Sequence, residues 1–463
     1  MSHKKKSLGS VEKLSFACGA VPFGIAYLAM AQLAYPIFNM TLGMSATMIG
    51  LAMAVGRLWD AFSDPFMGSF SDNSRTRWGR RRPFILLGGL LCAFAFPLVF
   101  FVPVEASPAV HFSWLLVATL LFFTAATVFS VPWLSLGYEI TADHVERVSV
   151  HAYRAYLAGA VALTLPWVYR LAQSDAFEST ISGMRSISLL MSLAFVAFSL
   201  PVFFFCKERF FKRAHAQQKV PFFKALKQTM SNRPFLILVL GVVTSMLCGP
   251  MLVGSLGVYV NVYHVFEGDS KLGASYAALG ASLMVVVKYI IIPMTQALAA
   301  RFGKIKVVRG ALCLGLIGSI GKFFFYTPEH PALQFAVVLL LGPAFTSFWI
   351  LADPLKADCT DFDEYKTGLR REGSYAAAAN WIEKTCITLV VLLSGIFIDI
   401  SGFDPALGYA QPENAMLILR AAFAGVPAIA FLVALVSLHF YPLKDSRMRA
   451  IRRCLERRRG HVD

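Results

Sequence analysis

Three ionisable residues, Arg57, Asp60 and Asp64, lie inside the apolar stretch 46–70. Their spacing of three and four residues places all three side chains on one face of a helix, over about 10 Å at 1.5 Å per residue. A charge deep in an apolar span costs roughly 2.5–3.5 kcal/mol on insertion scales, so such residues indicate a function. Two carboxylates beside one guanidinium suit a hard monovalent cation or a shared proton. A buried salt-bridge network that only locks helices together is the alternative.

Other charged residues also lie in apolar stretches of the chain. Lys384 follows Glu383, and because adjacent helical residues point in different directions, we expect only one of the two to face a central cavity. Lys384 could balance the aspartates when no cation is bound. Lys288 lies near the centre of its stretch, whereas Lys322 lies near the end of another and could extend its amine to the membrane surface.

These residues must be positioned by apolar segments of about 20 residues, the length that crosses a bilayer as a helix. Of the 463 residues only 15% are charged and 57% are hydrophobic, whereas soluble chains are about 25% charged. The pattern predicts an all-α integral membrane protein. Its twelve predicted spans, numbered in order, are 14–36, 46–70, 83–103, 112–137, 151–172, 184–205, 235–260, 274–299, 308–327, 331–352, 374–398 and 415–441.

The net charge of +16 could indicate a nucleic-acid or lipid partner, but its distribution indicates membrane topology. Most of the 43 Lys and Arg residues fall in the two termini and in the loops after even-numbered spans. The opposite loops hold only Arg170, Arg185 and Lys271. Since cation-rich loops stay cytoplasmic, we expect both termini to be cytoplasmic, in a plasma membrane of the bacterial inner-membrane type. The lipid bilayer is then the expected large partner, and no nucleic acid is.

The chain also shows signs of internal duplication. The stretch RWGRRRP begins at residue 77 after span 2, and the similar RFGKIKV begins at residue 301 after span 8. We therefore predict a six-helix half at 1–205, a cytoplasmic linker at 206–233, a second six-helix half at 234–442 and a basic cytoplasmic tail at 443–463. Paired six-helix halves are typical of major facilitator transporters, whose substrate site lies between the halves near the bilayer midplane. A loop with a glycine turn and topology-setting cations is the simpler interpretation of the two stretches.

Motifs for enzymatic or metal chemistry are absent from the sequence. The eight cysteines form no CxxC pair, the nine histidines form no HExxH motif, and there is no GxxxxGK[ST] phosphate loop. We therefore expect no enzyme, no disulfide, no zinc site and no cofactor other than a coupling ion.

Three blocks of sequence together resemble one transporter family. The first reads RLWDAFSDPFMG from residue 57 and RWGRRRP from residue 77, the second reads PWLS from residue 132 and extends to Arg154, and the third reads KTG from residue 366 and RREG from residue 370 and extends to Lys384. The blocks resemble the glycoside–pentoside–hexuronide:cation symporters, the melibiose-permease-like branch of the major facilitators. This resemblance implies a major facilitator fold.

The resemblance also implies roles for individual residues. Asp60 and Asp64 correspond to the cation-site carboxylates of the family, and Arg57 corresponds to their partner. Lys384 matches a lysine that links the cation and sugar sites, and Arg154 matches an arginine near the sugar site.

Two departures from the family pattern bear on the substrate. Gly24 stands where melibiose-type members have a sugar-binding aspartate, and Ser130 stands where they have another acid. Ser130 can still offer a neutral oxygen to a cation, so we include it in the candidate cation site. The two losses weaken the prediction of a galactoside and of Na⁺ over H⁺. The remaining residues expected to line the substrate site are Trp133, Trp349, Asn380 and Lys288, the last of which would favour an anionic sugar such as a uronide.

A cytoplasmic gate is expected from ion pairs that form in one conformation and break in the other. The residues predicted for it are Asp72, Arg77, Arg80, Arg81, Arg371 and Glu372. The same arginines could instead serve topology alone.

The sequence thus predicts a monomeric secondary transporter that couples H⁺ or Na⁺ to the symport of a small solute, a sugar or glycoside. Symport of a lysolipid or another non-sugar amphipath is an alternative, and so is a non-transporting sensor with the same fold.

Overall fold

The computed structural model describes residues 8–141, 144–208, 229–368, 372–443 and 445–459. Across these ranges the regular elements are helices, and the β-type pairing found there is a single bridge between Thr76 and Gly79. Ten helical segments in the described part are long and apolar enough to cross a membrane. The prediction of an all-α membrane protein is confirmed.

Two further elements occupy the places of predicted spans 2 and 7. Helix Ala46–Asn73 has 28 residues but carries the charged residues discussed above. Span 7 begins as the apolar helix Arg233–Leu247 and resumes as Pro250–Tyr259. Gly249 and the proline at position 250 separate the two pieces, because proline at the start of a helix cannot donate the hydrogen bond that would continue the preceding one.

The chain divides into two compact units. Unit 1 comprises Met1–Gln217 together with Val391–Asp399 from span 11. Within it, span 4 packs against spans 2 and 3, and span 3 packs against span 6. Its helices are span 1 (Ser10–Cys18, Ala20–Tyr35 and Pro36–Thr41), span 2 (Ala46–Asn73), span 3 (Arg82–Phe100), span 4 (Pro108–Glu139), span 5 (His144–Thr164 and Trp167–Ala172) and span 6 (Thr180–Phe205).

The C-terminal end of span 11, Val391–Asp399, supplies the N-terminal cap of span 2 within unit 1. The Asp399 carboxylate accepts hydrogen bonds from the backbone N–H groups of Ala46 (3.1 Å) and Thr47 (2.8 Å), and from Ser45 Oγ (2.6 Å). The first N–H groups of a helix have no partner within the helix, and a negative charge there is favoured by the helix dipole. Asp399 therefore fixes where span 2 begins, and with it the register of Asp60 and Asp64.

Unit 2 comprises Gln218–Val390 and Ile400–Asp463. In it, span 9 packs against spans 10 and 12, and span 7 packs against span 12. Its membrane helices are span 7 (Arg233–Leu247, Pro250–Tyr259 and Val260–Val265), span 8 (Ser270–Phe302), span 9 (Lys304–Phe325), span 10 (Gln334–Thr367), span 11 (Glu372–Ile400, of which Val391–Asp399 belongs to unit 1) and span 12 (Glu413–His439). The half, linker and tail boundaries given by the sequence stay a prediction.

A further helix, Asp445–Arg459, follows span 12 and packs onto unit 2. Its buried side chains Met448, Ile451 and Leu455 join the hydrophobic core of that unit. On the same helix, Arg452 forms ion pairs with Asp358 (2.9 Å) and Asp361 (3.1 Å) of span 10. The basic C-terminal region thus contributes a packed helix.

The expectation that Lys322 reaches the membrane surface is wrong. Its side chain is 1% exposed, and its Nζ donates to the carbonyl oxygen of Phe423 (3.4 Å) and lies 4.5 Å from the centre of the Phe423 ring. Pro427, four residues after Phe423, has no N–H with which to bond that carbonyl. Lys322 therefore supplies the hydrogen-bond donor that span 12 lacks.

Candidate functional site

The carboxylates of Asp60 and Asp64 are joined by a hydroxyl group from span 4. Thr127 Oγ1 lies 2.8 Å from Asp60 Oδ1 and 3.3 Å from Asp64 Oδ1. Ser63 Oγ lies 3.1 Å from Thr127 Oγ1. Since Asp60, Ser63 and Asp64 are separated by three and four residues, all three side chains lie on one face of span 2. The structure therefore brings together two carboxylates and two hydroxyls, from two helices.

This donor set contains oxygen alone. A threonine hydroxyl has one proton to donate, so Thr127 can donate a full hydrogen bond to only one carboxylate at a time. The shorter distance favours Asp60 as the acceptor. Two half-buried carboxylates this close repel each other unless a cation or a proton lies between them. Oxygen ligands in this arrangement suit a hard cation such as Na⁺, and equally a shared proton.

A close contact between spans 2 and 4 allows the hydroxyl to reach the carboxylates. A Cβ atom on Gly56 would lie 2.7 Å from the ring of Phe123, nearer than atoms can approach. Only glycine at position 56 lets the two helices come this close, one turn before Asp60. The contact places Thr127, one turn after Phe123, opposite the two aspartates.

Arg57 is directed toward span 1 in this conformation. Its Nη2 donates to the carbonyl oxygen of Tyr27 (2.6 Å), and its guanidinium lies over the rings of Phe123 (4.6 Å) and Tyr27 (5.3 Å). The side chain is buried, and within the described ranges it forms no ion pair with Asp60 or Asp64. Its predicted role as their partner stays a prediction.

Ser130 and Lys384 are the other predicted members of the cation site. Ser130 is half-buried one turn beyond Thr127 on span 4 and makes no hydrogen bond to Asp60 or Asp64 among the described residues. Lys384 is half-buried in unit 2. Its contribution to the site stays a prediction.

Glu383, next to Lys384, belongs to a separate charged cluster in unit 2. Lys356 Nζ lies 3.1 Å from Asp353 and 3.3 Å from Glu383. Glu383 thus points toward span 10, as expected if the two neighbouring side chains of span 11 point in different directions.

Two of the predicted substrate residues meet within unit 1. The Arg154 guanidinium lies 4.9 Å from the centre of the Trp133 ring and 5.8 Å from that of Phe23. Trp133 is fully buried, and its Nε1 donates to the carbonyl oxygen of Phe16 (3.0 Å). The Trp133 ring therefore packs against the Arg154 guanidinium, and the ring itself is buried in this conformation.

The other predicted substrate residues lie in unit 2. Trp349 is half-buried beside the hydrophobic core, with its ring 6.0 Å from that of Phe348. Lys288 is exposed on span 8. The side chain of Asn380 lies outside the described residues. Their roles stay predictions.

Part of the predicted gate is an ion-pair cluster after span 2. The Asp72 carboxylate lies 3.0 Å from Arg81 Nη2 and 3.7 Å from Arg80 Nη1. Arg77 instead lies over the ring of Trp78, at 4.3 Å. Arg371 and the side chain of Glu372 lie outside the described residues.

Glu208, which the sequence did not identify, anchors the same loop. Its carboxylate accepts hydrogen bonds from the backbone N–H groups of Arg80 (3.0 Å), Arg81 (2.9 Å) and Arg82 (3.2 Å) at the start of span 3. Gly79 adopts a left-handed conformation with φ of 106°, and a Cβ there would lie 2.6 Å from a carboxylate oxygen of Glu208. The glycine of the RWGRRRP stretch is thus required by this contact.

Sequence reasoning also missed Thr127 and Ser63, although a signal for each was present. Ser63 lies three residues after Asp60, and Thr127 lies three residues before Ser130. Helical spacing places Ser63 on the same helix face as Asp60, and Thr127 on the same helix face as Ser130.

Comparisons with known proteins agree with this picture. A family model described as MFS/sugar transport protein matches residues 15–445. The putative glycoside/cation symporter YagG of Escherichia coli (strain K12) is 25% identical, over 97% of this chain and 95% of the relative. The isoprimeverose transporter of Lactiplantibacillus pentosus is 24% identical, over 93% of this chain and 88% of the relative. A solved structure of a D-xylose-proton symporter matches with a TM-score of 0.67 at 13% identity, over 92% of this chain and 96% of that one.

The hydroxyl bridge predicts a specific effect of substitution at Thr127. Thr127→Val keeps the shape but removes the hydroxyl, and a hydrogen bond to a charged group contributes about 1.5–3 kcal/mol. We expect the apparent Na⁺ affinity to fall by roughly 10- to 150-fold, because the cation loses the hydroxyl oxygen as a ligand, whereas Thr127→Ser, the matched control, retains it. The measurement is the thermal stabilisation of purified protein across a Na⁺ series and a pH series. Equal cation dependence in Thr127→Val and the unmodified protein would show that the bridge plays no part in cation binding.

Proposed function

This chain belongs to the MFS/sugar transport protein family, and from that premise we propose that it carries a sugar or glycoside across the membrane together with Na⁺ or H⁺. Its relatives include a putative glycoside/cation symporter and an isoprimeverose transporter, so the family resemblance of the sequence motifs is confirmed. The chain is a multi-pass membrane transporter rather than an enzyme. We propose the coupling ion, the class of solute and the roles of single residues.

The observation that carries the coupling is the Asp60–Thr127–Asp64 arrangement. A bound Na⁺ would be held by carboxylate and hydroxyl oxygens, and a bound proton would be shared between the acids. Either one relieves the repulsion between two charges that share one hydroxyl inside the membrane. Filling the site therefore favours a conformation in which the carboxylates stay close.

Coupling follows if the filled site and the bound solute favour the same conformation. Each ligand then raises the affinity for the other by the same factor, because linkage between binding equilibria is reciprocal. In this proposal Arg57 and Lys384 stabilise Asp60 and Asp64 when no cation is bound, and Ser130 adds a neutral oxygen when one is. Arg57 is well placed for this, since it already lies one turn from Asp60 on span 2.

Support for a sugar-like solute comes from Arg154 and the aromatic rings beneath it. A guanidinium offers several N–H donors in a fixed plane, which suits hydroxyl-rich ligands, and the Trp133 and Phe23 rings hold that plane in position. The neutral residues Gly24 and Ser130, in place of acids, fit a solute with its own negative charge. Lys288 on span 8 would then favour an anionic glycoside.

The remaining assignments concern orientation and gating. The charge distribution supports cytoplasmic termini in a plasma membrane of the bacterial inner-membrane type. A monomer is part of the proposal. The Asp72 cluster with Arg80 and Arg81 would belong to the cytoplasmic gate, together with Arg77, Arg371 and Glu372.

Flux measurements test the coupling directly. In vesicles, addition of solute should drive uptake of Na⁺ or H⁺, and an imposed cation gradient should drive accumulation of solute. We expect Asp60→Asn and Asp64→Asn each to abolish accumulation, because each removes one of the two negative charges. Glu413→Gln, which changes an exposed carboxylate in the first turn of span 12, is the control and should accumulate normally. Full accumulation in both aspartate variants would overturn the proposed coupling.

Competition experiments test the class of solute. We expect a uronide and a neutral glycoside of equal size both to compete for uptake, and Lys288→Ala to weaken only the uronide, by roughly tenfold or more, as for a charged hydrogen bond. Lys306→Ala, at another exposed lysine of unit 2, should change neither. Loss of both competitors in Lys288→Ala, or of neither, would remove Lys288 from the substrate site. Competition by a lysophospholipid but by neither glycoside would contradict a sugar substrate and favour an amphipath.

A further inference from the structure

Span 11 is one continuous helix whose residues belong to both units. It runs from Glu372 to Ile400, and its segment Val391–Asp399 groups with unit 1, whereas the residues before that segment group with unit 2. In transporters built from two repeats, alternating access moves one repeat against the other. Such a motion must either bend span 11 or detach its C-terminal segment from the helices of unit 1.

Two glycines let the segment Val391–Asp399 pack closely against span 2. A Cβ atom on Gly395 would lie 2.2 Å from the backbone oxygen of Ala46, and one on Gly50 would lie 3.2 Å from the Cα atom of Leu392. Atoms cannot approach as closely as the first of these distances, so glycine at position 395 is required by the contact with span 2. Its presence is therefore explained without a hinge in span 11.

Hydrogen bonds join the segment to unit 1 at both of its ends. At the first end, the Tyr35 hydroxyl of span 1 donates to the carbonyl oxygen of Val391 (2.5 Å). At the other end, the Asp399 carboxylate accepts the three hydrogen bonds of the span 2 cap, one of them from Ser45. Ser45 is exposed and Asp399 is half-buried. Water therefore reaches the cap and can replace its hydrogen bonds when the helices separate, so that no polar group is left unpaired.

Span 8, the second helix of unit 2, is capped from within its own sequence. Asp269 directly precedes this helix, and its carboxylate accepts a hydrogen bond from the backbone N–H of Leu272 (2.9 Å). Span 2 has Ser45 at the same position, and the Ser45 hydroxyl accepts from the N–H of Met48 at 3.4 Å. An acidic residue at position 45 would have capped span 2 locally. The carboxylate that comes from span 11 instead adds a link between two helices.

We propose that Asp399 is a latch, which holds the C-terminal segment of span 11 on span 2 in this conformation and releases it when the two units move. In the latched state the carboxylate lies at the N-terminus of span 2, where a negative charge is favoured by the helix dipole. In the released state water takes the place of the three hydrogen bonds. The latch goes beyond the proposed symport, because it depends on neither the coupling ion nor the solute.

Hydrogen–deuterium exchange of the purified full-length protein, read by mass spectrometry in peptides that cover residues 391–400, measures release of the segment. We expect Asp399→Ala to raise exchange there by roughly tenfold or more, as for loss of a hydrogen bond to a charged group. Adding Ser45→Asp to this variant supplies a cap to span 2 alone, so exchange in span 11 should stay high. Asp269→Ala, the matched control at span 8, should leave it unchanged. Unchanged exchange in Asp399→Ala, or protection restored by Ser45→Asp, would show that Asp399 is only a helix cap and overturn the latch.

A second pair of variants separates docking of the segment from fraying of its helix. Gly395→Ala raises the intrinsic helix propensity of span 11, so exchange at residues 391–400 would fall if fraying alone controlled it. Because the added Cβ would meet the backbone oxygen of Ala46, we expect exchange to rise instead. Gly425→Ala in span 12, where a Cβ would meet no described atom within 4 Å, is the control and should leave exchange there unchanged.

A fall in exchange in Gly395→Ala would contradict the docked contact on which the latch depends. Neither solute nor an ion gradient is used in these measurements, so their failure would leave the proposed symport untouched.

Discussion

The arrangement depends on a single constraint, which is that two carboxylates inside the membrane share one hydroxyl. Thr127 can donate one proton, yet it lies within hydrogen-bonding distance of both Asp60 and Asp64. Two carboxylates that share one donor in this way form an arrangement of oxygens that a cation or a proton can join. Two contacts within unit 1 support this arrangement. Asp399 fixes the start of span 2, and Gly56 allows span 4 close enough for the hydroxyl to reach.

Several charged side chains of this protein form hydrogen bonds with backbone groups of other helices. Asp399 and Glu208 occupy the N-terminal ends of spans 2 and 3, although both are far from those spans in sequence. Lys322 fills the donor position that Pro427 leaves empty in span 12. Each of these satisfies backbone groups that the helix itself leaves unpaired. Asp60 and Asp64, in contrast, both lie within hydrogen-bonding distance of one side-chain hydroxyl, that of Thr127.

The sequence predicted the all-α membrane fold and the common helix face of Asp60 and Asp64. Apolar segment lengths indicated the spans, and helical spacing placed Asp60 and Asp64 on one face, because both features are local to the chain. Helical spacing places Thr127 on the face of Ser130, but its contact with the aspartates depends on which helix packs against span 2, and the spacing of either helix does not give that packing. Lys322 was misjudged for a related reason. Its partner carbonyl is freed by a proline on another helix, about a hundred residues away.

The central claim is that a cation at Asp60 and Asp64 and a solute in the same protein strengthen each other's binding. Solute affinity of the purified protein, measured across a Na⁺ series at fixed pH and across a pH series without Na⁺, tests this claim most directly. If the two ligands strengthen each other, affinity rises with Na⁺ concentration, or rises as the pH falls, and the Asp60→Asn, Asp64→Asn double variant responds to neither. Solute affinity in the unmodified protein that stays constant across both series would contradict it.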